Sequence, residues 1–136
     1  MKTLDLKLIL RLSVFGLVMA FATVYVIPSN IEPVFWLAIF AACGALIARS
    51  LADKHFVHGF AVSLVNCVWI TGAHVVLFES YLERHPQEAE MMKKMPLPDS
   101  PRLMMLMTGP VVGIVSGLVL GLFAFIASKI VKPVAA

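Results

Sequence analysis

The sequence predicts an all-α membrane protein: four transmembrane helices in a compact bundle, both termini cytoplasmic, with a short amphipathic outer helix between the third and fourth. Three observations lead there. The 136-residue chain is 60% hydrophobic and 14% charged, with mean hydropathy +0.93, whereas soluble domains are nearer half apolar and a quarter charged. Apolar segments at 8–27, 34–48, 59–82 and 103–128 approach or exceed the ~20 residues that cross a bilayer. The basic residues are unevenly shared between the two sides. Lys2, Lys7, Arg11, Arg49, Lys54, Lys129 and Lys132 fall on one side, and Arg84, Lys93, Lys94 and Arg102 on the other. The richer side is expected to be cytoplasmic. Residues 1–136 then form a single transmembrane domain. The net charge of +3 flanks the spans instead of forming a patch, so the partners expected are the lipid bilayer and other membrane proteins, with no nucleic acid.

The first segment imitates a secretory signal, with basic residues up to Arg11, an apolar run and Ala20-Phe21-Ala22. It reads as a transmembrane helix with a small-residue stripe of Ser13, Gly16, Ala20 and Thr23. Pro28 to Pro33 makes a turn. The second segment is short and spans if residues 31–33 and Arg49 lie at the interfaces. It carries Ala38, Ala41, Ala42, Ala45 and Ala48. Trp36, Tyr25 and Tyr81 are expected to form an outer aromatic belt. The brief link 49–58 predicts that the second and third helices are antiparallel neighbours. Cys43 and Cys67 read as buried thiols at comparable depth.

The third segment is the polar one. With Ser63 at 0°, Asn66 falls at about 300°, Cys67 at about 40°, His74 at about 20° and Tyr81 near 0°, so these groups share a face. Unpaired polar groups are costly in hydrocarbon, and this face should turn inward or toward a partner. Residues 86–95 suit a short outer helix, with Pro86 in its first turn, Glu88 and Glu90 near its start and Lys93 and Lys94 near its end. Asp99 or Ser100 can cap the fourth helix.

That helix carries Gly109, Gly113, Gly117 and Gly121 at every fourth position, a stripe drifting by about 40° per step. Small residues let helix backbones approach closely in lipid. The stripe is a docking surface for the chain's own helices or for another subunit. Pro110 is expected to kink the helix by removing a hydrogen bond.

His74 is the sharpest candidate for chemistry, as a ligand, a proton relay or a haem ligand. Its plainer role is a neutral histidine bonded to another helix. His58 is about 24 Å away along the same helix, so the two cannot grip one iron. His55 and His58 could form a weak metal pair or remain solvated. Six of eight methionines lie between Met91 and Met107. Thioethers suit Cu(I), so His85, Met91, Met92 and Met95 are candidate metal ligands, against a plainer role as flexible packing groups. No carboxylate falls at the middle of a span, and the sequence shows no phosphate loop, nucleophile triad or zinc-type cluster. Neither an enzyme nor a cofactor is expected.

Lys54-His-Phe-Val-His-Gly-Phe60, Glu90-Met-Met-Lys-Lys-Met95, and Pro110 with the glycines ending at Lys129 together resemble a family of small uncharacterised four-helix bacterial membrane proteins known as a domain of unknown function. The likeness covers about the last two thirds of the chain, with a shorter outer loop. It implies a multi-pass protein of the bacterial inner membrane and assigns no functional residues. The expected function is association through helices, as a homo-oligomer or an accessory subunit of a larger membrane complex. The alternative is a small transporter or copper-handling protein using His74 and the outer methionines.

Overall fold

The computed structural model describes residues 3–134 of the chain; Lys2, one of the charges used for orientation, lies outside the described residues. In chain order the helices are α1 (Leu6–Leu12), α2 (Val14–Tyr25), α3 (Glu32–Ser50), α4 (His55–Val76), α5 (Phe78–Arg84), α6 (Pro86–Lys93) and α7 (Pro101–Ile130). Among the described residues four stretches are long and apolar enough to cross a membrane: Leu6–Tyr25, Glu32–Ser50, His55–Val76 and Pro101–Ile130. Large apolar side chains such as Val18, Leu37, Val68, Val111 and Leu118 lie exposed along them, as surfaces that meet lipid would.

The first span bends at Ser13 between α1 and α2, where the hydroxyl donates to the Leu10 carbonyl at 2.8 Å. Its small-residue stripe is buried throughout, with Ser13 2% exposed and Ala20 and Thr23 fully enclosed. Asp5 caps α1 by accepting from the Leu8 N–H at 2.9 Å.

The expected pairing of the second and third spans needs correcting. α3 packs chiefly on α7 and touches α4 only lightly. Its buried face is Phe40, Cys43, Gly44, Ile47 and Ala48, and a methyl on Gly44 would sit 3.0 Å from the Phe123 backbone. A short link constrains the ends of two helices and leaves their faces free to choose other partners. Ala38, Ala41 and Ala42 consequently point outward.

α4 is the central helix, with α7 along one side and α1 and α2 along another. It ends at Val76, short of the expected Leu82. In an unbroken helix Tyr81 would stand about 10 Å along the axis from His74. The break at Leu77 lets the two rings stack with centroids 4.2 Å apart. Tyr81 is thereby 6% exposed and does not join a lipid-facing aromatic belt. α5 and α6 close one end of the bundle. Arg84 donates to the Tyr25 carbonyl at 3.0 Å, and His85 lies 3.2 Å from the Ile27 carbonyl. The helix of α7 is unbroken across Pro110.

Candidate functional site

The glycine stripe of α7 faces α4 within the chain. A methyl on Gly113 would meet the Cys67 side chain at 2.6 Å, one on Gly117 the Phe60 ring at 2.8 Å, and one on Gly121 the Phe56 ring at 2.9 Å. A methyl on Gly109 would overlap the Thr71 side chain. At Gly59 of α4 backbone meets backbone, since a methyl there would lie 2.7 Å from the Leu120 carbonyl oxygen. Glycine also bares the α7 backbone to its neighbour. Cys67 Sγ donates to the Gly109 carbonyl at 3.1 Å and Ser63 Oγ to the Gly113 carbonyl at 3.5 Å.

Beyond this seam, toward the end that carries α6, α3 stands away from α4 and leaves a cavity of about 680 Å³. Its α4 wall is Ser63, Asn66, Cys67, Ile70, Thr71 and His74. α3 supplies Glu32, Trp36, Leu37 and Phe40, and α7 supplies Met105, Thr108, Val112 and Ser116. α6 contributes Glu88 and Met92, with Met95 just beyond its end. The predicted polar face Ser63, Asn66 and His74 is thus brought to one wall.

Each of the three ends differently. Ser63 is spent on α7. His74 Nε2 lies 2.9 Å from Thr23 Oγ1, and that hydroxyl already donates to the Met19 carbonyl at 2.8 Å. His74 is therefore the donor through Nε2–H, which leaves the lone pair on Nδ1. Asn66 is 3% exposed, and both its amide oxygen and its amide nitrogen are buried without a hydrogen-bond partner. It packs against Gly16 of α2, where even a methyl would overlap the amide. An unpaired buried amide costs about 1–3 kcal/mol.

The charged residues on the cavity wall are Glu32 and Glu88. Glu32 accepts from the Trp36 indole at 2.9 Å. Both carboxylates act on Tyr81, which lies on α5 beyond the span: burial, then Glu88 and Glu32, push its phenol up. Nothing in the sequence joins these two acids, which are far apart in the chain and sit on different helices. Trp36, Thr71 and Met105 were likewise unmarked as wall residues, because only the packing of α3 against α7 brings them together.

The metal candidates are divided. His85 is 4% exposed; its Nδ1 lies 2.8 Å from the Tyr81 carbonyl and its Nε2 faces the Ile27 carbonyl. Its ring stacks on Tyr81 at 4.3 Å. Met92 and Met95 line the cavity, whereas Met91 is 52% exposed. Among the described residues no group of three His, Cys, Asp or Glu side chains is placed to hold a metal ion.

His55 and His58 differ from the solvated pair allowed by the sequence. His58 is 2% exposed, with its Nδ1 2.9 Å from the Lys54 carbonyl and its Nε2 accepting from the Asp5 N–H at 3.0 Å. His55 Nε2 lies 3.0 Å from the Leu51 carbonyl. These rings tether backbone. Cys43 and Cys67 are both free thiols.

Fold and site together define a helical membrane protein with a mainly apolar cavity, carrying a few polar groups, between its candidate spans. Comparison with protein-family models, with curated proteins and with solved structures returns no match for this chain.

Proposed function

We propose that this chain is a non-enzymatic, multi-pass protein of the bacterial inner membrane, with both termini in the cytoplasm, whose cavity takes a small amphipathic molecule from the outer half of the bilayer. The observation that carries this reading is the cavity of about 680 Å³ itself, bounded by α3, α4 and α7 and lined mainly by apolar side chains with a few polar groups among them, Thr71, His74, Glu32 and Glu88. A mostly apolar hollow with a small number of polar groups is the usual form of a small-molecule site. Glu32 and Glu88 are both expected on the outer side, which supports a mouth there. The distribution of lysine and arginine supports that orientation.

The test is mass analysis of protein extracted gently from its native membrane. A small molecule held at one per chain, and lost when Val112→Trp narrows the cavity, is the expected result. Recovery of bilayer lipid alone, equal in both proteins, would remove the reading.

Two other readings each have one observation behind them. Association as a homo-oligomer or accessory subunit is favoured by Ala38, Ala41 and Ala42, an outward small-residue face on α3, although the α7 glycines are engaged within the chain. Ala41→Leu with Ala42→Leu should then reduce oligomer size in mild detergent, and an unchanged size would count against it. Copper handling is favoured by Met92, Met95 and His74 sharing the cavity wall. Stoichiometric Cu(I) binding that falls in a Met92→Leu, Met95→Leu variant is the expected sign, and its absence would end that version.

A further inference from the structure

We infer that a second hollow, between α2 and α3, binds an anionic phospholipid, with its phosphate at Lys7 and Arg11 and an acyl chain along its apolar walls. The hollow has a volume of about 540 Å³ and shares no lining residue with the cavity described above. It exists because α2 packs on α4 and α5 while α3 packs chiefly on α7, so the facing sides of α2 and α3 stay apart. Among the described residues Arg11 is the one charged group on its wall. The rest of the wall is apolar, including Val14, Val18 and Ala22 of α2 and Phe35 and Ile39 of α3.

The first span is Leu6–Tyr25, and Arg11 stands about 8 Å inside its start. A charge at that depth is costly unless something pairs with it. Lys7 precedes it by four residues, one turn nearer the end of the span and on the same helix face. Two like charges at this spacing repel. Among the described residues neither side chain has a hydrogen bond or an ion pair. The acid nearest in sequence, Asp5, accepts from the Leu8 N–H instead. A phosphate between the two supplies the opposite charge, and long basic side chains reach from within a span to the level of the head groups.

Val14, Val18 and Ala22 follow Arg11 at the spacing of one helix face, so the basic pair heads an apolar stripe. From Arg11 to Ala22 is about 16 Å along the span, close to the ~15 Å of hydrocarbon in one leaflet. An acyl chain whose phosphate rests on the basic pair therefore runs the length of the hollow. A free phosphate would leave these walls uncovered. A zwitterionic head group would bring its own cation to Lys7 and Arg11, and an uncharged partner helix would leave the pair unanswered.

The test is native mass spectrometry of the protein in mild detergent, titrated with dioleoylphosphatidylglycerol or dioleoylphosphatidylcholine, which share their acyl chains. The anionic lipid should bind at one per chain, about twentyfold more tightly than the zwitterionic one. K7Q and R11Q should each reduce that preference about fivefold, and the double variant should abolish it. Both side chains are exposed, and circular dichroism of each variant checks its fold. Val18→Trp, which fills the hollow, should weaken both lipids. Val112→Trp, in the other cavity, should leave the preference unchanged, so the two sites are read separately.

Equal affinity for the two lipids, or a preference that survives in the double variant, would overturn the assignment of the head group. Competition by glycerol phosphate at the lipid's own concentration, with Val18→Trp binding as the wild type does, would overturn the place given to the acyl chain. A preference lost in Val112→Trp would put the lipid in the other cavity and overturn this site. A dimer without bound lipid, dispersed by Val18→Trp, would overturn it as well and give the hollow to a second copy of the chain.

Discussion

Between Phe56 and Phe60, α4 lies so close to α7 that a methyl on Gly59 would come within 2.7 Å of the Leu120 carbonyl. From Ser63 to His74 the same helix borders a cavity of about 680 Å³ and keeps a buried amide unpaired. One helix therefore meets two packing conditions: on its α7 side the glycine contacts continue through Cys67 and Thr71, while its α3 side opens on the cavity. In the first region the glycines remove side chains so that backbones touch, which is how helices gain contact in lipid. In the second, α3 leaves α4 for α7 and polar groups line the gap. The contrast separates what holds the molecule together from what it does. Density is concentrated in the seam, while the unpaired Asn66 amide is buried against Gly16 of α2.

The sharpest way to break the comparison is Gly59→Leu. Its neighbours at 2.7–3.0 Å are backbone atoms of Leu120 and Gly121, which cannot swing aside. A destabilisation of about 3 kcal/mol or more is expected, read as loss of folded protein in a detergent melt. Gly117→Ala should cost less, about 1–2 kcal/mol, because the obstacle is the Phe60 ring and a side chain can shift. Equal losses for the two would mean that the seam is softer than described.

On the cavity side the signs differ. Thr23→Val removes the acceptor that His74 Nε2–H uses and should cost about 1 kcal/mol. Asn66→Leu keeps the branching of the side chain and deletes two unpaired polar atoms, so the empty protein should gain up to about 1 kcal/mol. Gly72→Leu is the smallest change. Nothing lies within 4 Å of a methyl there, and a shift within about 0.5 kcal/mol is expected.

Much of this contrast could be read in the chain before its shape was known. Period and composition located all four spans, and the stripes Ser13–Gly16–Ala20–Thr23 and Gly113–Gly117–Gly121 are buried as small-residue faces should be. The shared face of Ser63, Asn66 and His74 followed from helical spacing alone. The break at Leu77 carried no proline or glycine to announce it. Its cause is tertiary, the stacking of Tyr81 between His74 and His85. The partner of α3 was misassigned because loop length speaks to sequence neighbours and not to faces. The acidic mouth was invisible for a related reason: Glu32 and Glu88 begin different helices, and each looks like an ordinary first-turn acid.

The central claim is that the cavity between α3, α4 and α7 holds a small amphipathic molecule. The most direct measurement is mass analysis of wild-type protein and Val112→Trp extracted gently from the same native membrane. A small molecule held at one per chain by the wild type and lost from the variant is the expected result. Bilayer lipid alone, recovered equally from both, would contradict the claim.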